Sequence, residues 1–303
     1  MITPMTQDLY RTLAKKRYLW ETRIRYVLRV TLNGGKPRTV LCFPMTPFVR
    51  AVICRMSLSC GCRISTNVIE PADAVIYWDI ATRHEQSPEL ARFRGLWVLN
   101  AECIDVSKSR VDEIFAEVFG YDIRLDPLTH SGLCLRKSNE NATHDGVILS
   151  CPIPDRDPRY VYQKLIDVPA GDGLVEDLRI PVVGHLIPFV YRTHRQAALR
   201  FESSAWRVRA YETLEVLTAE EVRLILLFCR RIGLDLGELD VLRDPADGRL
   251  YIVDANPTPW GPPADLVWRD HSFALRKMAQ AFEEAVLSKS PRYVPVQVEQ
   301  DEH

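Results

Sequence analysis

The sequence predicts an α/β layer followed by a larger α+β region. Three observations carry this. Short apolar runs alternate with helix-length gaps over the first hundred residues. Apolar runs then follow one another in quick succession between residues 133 and 184. Two longer segments, near 107–119 and 218–233, carry apolar residues at helical spacing and end on glycine.

Residues 8–30 interleave Arg11, Lys15, Lys16, Arg17, Arg23, Arg25 and Arg29 with Leu9, Leu13, Leu19, Trp20 and Ile24. One reading is a basic amphipathic helix for a partner or an anionic surface. The preferred reading is a solvated helix packed on the body by its apolar side. Asn33-Gly34-Gly35-Lys36-Pro37 then breaks the chain. TVLCF (39–43), AVIYW (74–78) and LWVL (96–99) read as buried strands of a small parallel sheet, with room for helices between them. In 107–119, Val111, Ile114, Phe115 and Val118 share a helical face before Gly120. LCLRK (133–137), VILSC (147–151), YVYQKLI (160–166) and LRIPVVG (178–184) read as mostly antiparallel strands. Thr218 and Glu221 form a capping box ahead of Val222, Ile225, Leu226, Cys229 and Ile232, closed by Gly233. A hairpin follows, then a helix over roughly 271–287. The expected division is a basic segment 1–36, an α/β domain 37–104, a second domain 105–289 (split at 166/167) and a loose tail 290–303.

The 303 residues hold 39 Lys+Arg against 40 Asp+Glu, a net charge of −1 that argues against a surface built for nucleic acid. No run approaches the ~18 apolar residues of a membrane span, and the charged start is no signal peptide, so a cytoplasmic protein is expected. Oligomerisation stays open. Cys42, Cys54, Cys103, Cys134 and Cys229 sit singly in apolar stretches and read as core residues. Cys60 and Cys62 form C-G-C, a weak metal signal without a second pair. Only 14 glycines are present, and neither G-x-G-x-x-G nor G-x-x-x-x-G-K-[ST] occurs. H-E-x-x-H and G-x-S-x-G are also missing.

GELDVLRDPADGRLYIVDANPTPWG (237–261) carries the chemistry. Two strands flank the turn Pro245-Ala246-Asp247-Gly248. Strict alternation places Leu250, Ile252, Asp254 and Asn256 on one face, and centring the hairpin on Asp247 sets Asp240 opposite Asp254. Opposed Cβ atoms lie about 4.5–5.5 Å apart, so the two carboxylates repel unless a proton, a basic side chain or a cation offsets them. A Mg²⁺ ion held by Asp240, Asp254 and the Asn256 carbonyl is the expected answer. The other reading has both carboxylates facing solvent.

The order of a strand-end Asp, a turn and an acidic residue-x-Asn-Pro resembles the metal hairpin of the ATP-grasp superfamily. Within it, the chain is similar to the ribosomal-protein glutamate ligases and the microviridin-type peptide ligases, over about 105–262 and more loosely over the first hundred residues. The resemblance implies two antiparallel-sheet subdomains clasping ATP. It implies phosphate lysines at Lys108, opening its helix, and Lys137, ending LCLRK. It aligns Gln163, Lys164 and Leu165 with the hinge strand for adenine, the last two through backbone groups. Asp177 matches a ribose-contacting acid and Arg179 a phosphate- or substrate-side arginine. Trp206-Arg207 matches an aromatic–Arg pair near the transferred phosphate. Arg192, in the arginine-rich run 192–209, joins Arg179 and Arg207 as a catalytic candidate, whereas Arg195, Arg200 and Arg209 read as a solvated face. His144, in the polar loop 138–146, reads as neither ligand nor acid. Two departures are clear: Asp254 stands where the family usually has Glu, and the loop 138–146 holds one glycine, Gly146.

These residues imply an ATP-dependent carboxylate–amine ligase, with ATP and Mg²⁺ (or Mn²⁺) as cofactors and a small-molecule or peptide carboxylate and amine as substrates. The work would be positioning and charge neutralisation rather than covalent catalysis. The alternatives are an ATP-grasp kinase acting on a hydroxyl and an ATP-binding regulatory protein without turnover. WGPPADLVW (260–268) could wall the substrate pocket or cap the core.

Overall fold

The computed structural model describes residues 20–141, 143, 145–199, 207–263 and 266–295. Helix α1 covers 20–32. Strands β1 (Arg38–Pro44), β2 (Cys62–Ser65), β3 (Ala74–Trp78) and β4 (Val98–Leu99) form a parallel sheet in the order β2-β1-β3-β4. Helix α2 (Val52–Ser59) crosses from β1 to β2. The sequence pattern does not reveal β2, because CRIS is only four residues long and mixes polar with apolar positions. Cys60 caps α2 and Cys62 opens β2; both are buried, and Cys60 Sγ donates to the Ala279 carbonyl at 3.3 Å. Among the described residues no group of three His, Cys, Asp or Glu gathers for a metal.

Helix α3 (Lys108–Phe119) begins at Ser107, whose Oγ accepts from the Arg110 N–H at 3.4 Å. Strands β5 (Gly132–Ser138), β6 (Val147–Cys151) and β7 (Tyr160–Lys164) form an antiparallel sheet ordered β6-β5-β7. Strands β8 (Leu174–Val183), β9 (Val190–Gln196), β10 (Arg207–Tyr211), β11 (Leu236–Arg243) and β12 (Leu250–Asn256) form the larger antiparallel sheet, ordered β10-β9-β8-β11-β12. The short helix α4 (Thr213–Val216) precedes α5 (Ala219–Ile232), whose capping box on Thr218 and Glu221 is complete. Helix α6 (Trp268–Phe282) runs into a wide turn over Glu283–Leu287.

Alternation sorts the five-stranded sheet into two faces. Leu178, Ile180, Leu239 and Val241 point toward α3 and α5 and join Phe115, Ile225 and Phe228 in one core. Val183, Tyr191, Val208 and Leu236 point the other way, onto Ile53, Met56, Phe282 and Val286 of α2, α6 and the turn after it. Asn100, buried with φ of 61°, locks the two layers: its Oδ1 accepts from the Asp235 and Leu236 N–H groups at 2.8 Å, and its Nδ2 donates to the Leu236 carbonyl at 2.8 Å.

Two expectations change. Helix α1 is not seated by its apolar side: Thr22 is buried and Tyr26 and Val30 half-buried, while Trp20, Ile24, Val27, Leu28 and Leu32 face outward. The stretch from 290 is not a loose tail throughout, because Tyr293 is buried and exchanges backbone hydrogen bonds with Ala72 at 2.7 and 3.0 Å. Residues 296–303 lie outside the described residues.

Candidate active site

Asp240 pairs with Asp254 across β11 and β12, and Glu238 pairs with Asn256. A bulge follows, so that Val241 opposes Ile252 and Val253 is the extra residue. This corrects strict alternation. Leu250 and Ile252 fall on the core face with Val241, while Asp254 and Asn256 share the opposite face with Asp240. The bulge buries the apolar run and still delivers two carboxylates to one side.

The carboxylate repulsion is offset by basic side chains. Arg179 lies opposite Asp240 on β8, donating from Nε to Oδ1 at 3.0 Å and from Nη2 to Oδ2 at 3.4 Å. Its Nη1 is 3.8 Å from Glu238 Oε2. Lys108, buried at the first turn of α3, reaches round the edge strand β12 to donate to Asp254 Oδ1, and at 3.3 Å to Asn141 Oδ1. Burial raises the Asp254 carboxyl despite Lys108, with Asp240 adding repulsion. Burial acts the same way on Asp240, but Arg179 wins and holds it below the usual carboxylate range. Asp240 and Glu238 push the Arg179 guanidinium up, against its own burial. Glu238 is pushed up to about 7 by burial, Arg179 notwithstanding.

Lys137, on β5, faces this cluster from the three-stranded sheet. Burial and the neighbouring Lys108 lower its ammonium pKa, and no described residue pairs with it. A second pair lies on the same face of the larger sheet: Arg195 is buried and donates to Asp177 Oδ2 from Nη2 at 3.0 Å and Nε at 3.3 Å. Asp177 Oδ1 is buried without a partner among the described residues, and burial raises its carboxyl.

Of the sequence candidates, the fold therefore brings together Lys108, Lys137, Arg179, Asp240, Asp254 and Asn256, with Asp177 one row away. Arg192 and Arg207 fall elsewhere. By register, Arg192 opposes Leu178 and Arg207 opposes His194, both on the α5 side of the sheet, whereas Arg209, expected on a solvated face, donates from Nε to Asp270 Oδ2 of α6 at 2.6 Å. Arg192 lies 3.8 Å from Glu176, and its guanidinium carbon is 5.2 Å from the Tyr211 ring centre. Arg207 is exposed on the edge strand, about 17 Å from Asp240 by strand spacing. Trp206, Arg200 and His144 lie outside the described residues.

On β7, Gln163 is fully buried and its Nε2 donates to both oxygens of Asp112, at 2.7 and 2.9 Å, leaving Oε1 without a partner among the described residues. Its side chain serves the interior of α3 rather than an open pocket. Burial pushes Asp112 up to about 6. Lys164 donates to Asp244 Oδ2 at 2.6 Å and lies 5.2 Å from the Tyr251 ring centre, which ties β7 to the hairpin. Leu165 is half-buried just after β7. Trp260 packs on Phe48 with ring centres 4.1 Å apart, joining the loop after β12 to the parallel-sheet layer.

Glu238 and Asp112 escaped the sequence reading, and Arg195, expected on a solvated face, is instead buried against Asp177. Parity was the available signal for Arg195: counted along its strand with Tyr191 and Thr193, it shares the face of Asp177 and Arg179.

The donor set suits a hard divalent cation. Asp240 and Asp254 supply carboxylate oxygens and Asn256 an amide oxygen, which also accepts from the Thr258 N–H at 2.9 Å. Two carboxylates leave coordination to be completed by water or phosphate oxygens, the usual situation for Mg²⁺.

The backbone path matches a solved structure of the ATP-grasp ligase PsnB complexed with minimal precursor, with a TM-score of 0.53 over 81% of this chain and 99% of that one, at 14% identity. The fold is ATP-grasp. A second PsnB structure, complexed with precursor peptide PsnA2 and AMPPNP, matches with a TM-score of 0.50 over 80% and 96% of the two chains, at 13% identity. No family model matches the sequence, and no curated protein matches it either. At this identity the ATP-grasp likeness concerns backbone only, so side-chain roles rest on the geometry above.

Proposed function

We propose that this chain is an ATP- and Mg²⁺-dependent carboxylate–amine ligase, with residues 105–289 as its catalytic unit. The observation that carries the reading is the opposed pair Asp240–Asp254 with Lys108, Lys137 and Arg179 converging on it. Phosphates of ATP would meet Lys108 and Lys137, and Asp240, Asp254 and Asn256 would hold the metal. The metal, when bound, supplies charge neutralisation for phosphoryl transfer. A substrate carboxylate oxygen attacks the γ-phosphorus and ADP leaves. An amine then attacks the acyl carbon, expels phosphate and loses a proton. Arg179 orients the oxygens on which charge accumulates, and no protein nucleophile is required. A peptide substrate is favoured because one PsnB structure holds a minimal precursor and the other a precursor peptide. All eight cysteines are free, which suits the cytosol.

The test is product analysis with Mg·ATP, a peptide carrying Asp or Glu, and an amine. ADP and phosphate release is expected only when both acceptors are present, and Asp254→Ala should abolish it. A phosphorylated product formed without amine, or full activity in Asp254→Ala, would overturn the reading.

A further inference from the structure

Helix α1 presents the molecule with an unusual surface. At 100° per residue, Trp20, Ile24, Val27, Leu28 and Leu32 fall within one half of the wheel, and they are 68, 44, 60, 58 and 82% exposed. The opposite half, around Thr22, Tyr26 and Val30, seats the helix on the body. Gly61 permits this seating, because a Cβ there would fall 2.5 Å from the Arg29 Cβ. The apolar stripe is thus turned outward by the packing itself. It is about 20 Å long.

Its charge decides what it fits. Arg23 borders one side of the stripe and Arg25 and Arg29 the other, against a single acid, Glu21. The preceding sequence adds Arg11, Lys15, Lys16 and Arg17. A second copy of this chain would set arginine against arginine along a two-fold contact. An anionic phospholipid surface instead accepts the apolar stripe among its acyl chains and pairs its headgroups with the flanking arginines. Tryptophan at one end of the stripe suits the same interface. Among the described residues no helix is long and apolar enough to cross a membrane, so the helix would lie in the surface plane.

We propose that α1 is an in-plane docking helix for anionic phospholipid membranes. This does not depend on the ligase reading. The test is co-sedimentation of the full chain with vesicles of phosphatidylcholine containing about one-third phosphatidylserine, against phosphatidylcholine alone. Binding is expected only to the anionic vesicles and should weaken as salt rises. Ile24→Asp with Leu28→Asp should cut it by at least about tenfold. Arg23→Glu with Arg29→Glu should cut it several-fold. Both variants should melt like the parent chain because the altered side chains are exposed, and Leu28→Gln provides the comparison if the double Asp variant does not fold. No binding above the phosphatidylcholine level, binding unchanged in the Asp variant, or a dimer by light scattering that Leu28→Asp dissolves without any vesicle binding would each overturn the proposal.

Discussion

Removing the Lys108 ammonium should tighten binding of a divalent cation in the absence of nucleotide. Asp254 is paired with Lys108, and Asp240 with Arg179. A metal entering alone must compete with one of these ion pairs. At an effective dielectric of about 20, two unit charges about 4 Å apart interact by about 4 kcal/mol. Retaining half of that after water and side chains relax leaves about 2 kcal/mol, or roughly thirtyfold in Kd. Lys108→Met keeps the length of the stem and deletes the charge. Isothermal titration with Mn²⁺ should therefore show tighter binding in the variant than in the parent. Titration with a non-hydrolysable Mg·ATP analogue should show the reverse, since the phosphates lose a cationic partner. On the proposed reading, Lys108 would be a counter-ion that the nucleotide draws away, so that metal and nucleotide bind together. Equal or weaker Mn²⁺ binding by a folded Lys108→Met protein would refute the reasoning.

Three further outcomes follow from the geometry. Asp112 is raised from 3.8 to about 6 by burial, so the folded state holds its proton where the unfolded chain has lost it. That contribution is present below about pH 4 and is lost by pH 7, an effect of about 3 kcal/mol. Asp112→Asn, whose amide can also meet the orphaned Gln163 Oε1, should gain stability relative to the parent between pH 4 and 7 in urea titrations; a constant difference across that range would contradict this. Arg179→Ala should weaken Mg·ATP-analogue binding by about tenfold or more, whereas Arg207→Ala should leave it within about twofold, because Arg207 lies on the other face of the sheet. Equal losses in the two calorimetric titrations would show that the alternation reading is wrong. Gly233, at φ of 79°, closes α5 against the Glu102–Cys103 backbone, where a Cβ would lie 2.4–2.7 Å from three atoms. Gly233→Ala should cost more than about 2 kcal/mol, read from the denaturation midpoint.

Local patterns carried much of this protein. The run TVLCF could only be a buried strand, and Thr218 with Glu221 ahead of a helical stripe ending in Gly233 defined α5 almost to the residue. Asp240 does oppose Asp254, but the turn alone does not set this: its register, with Arg243 opposite Leu250, would bring Asp240 against Val253, and the bulge moves the partner to Asp254. Lys108 was legible as a helix-start lysine because Asp105-Val106-Ser107 announces the cap.

Other features needed the tertiary structure. The bulge at Val253 has no signature in an unbroken apolar run, yet it decides that Ile252 goes to the core while Asp254 goes to the site. The arginines between 192 and 209 look alike in one dimension. Pairing with β8 and β10 sends Arg195 to the Asp177 side and Arg192 and Arg207 to the other, because a strand turns successive side chains to opposite faces. Amphipathicity fixes that α1 has an apolar side, but not whether that side meets the body or the outside. Thr22 and Gly61 decided it, by giving the helix a closer seat on its polar side. The sequence by itself determined which chemical groups this protein possesses and the local elements that carry them. Only the packing of one sheet edge, one helix end and one bulge decided which of those groups meet, since that depends on contacts between residues far apart in the chain, 61 positions for Arg179 and Asp240 and 146 for Lys108 and Asp254.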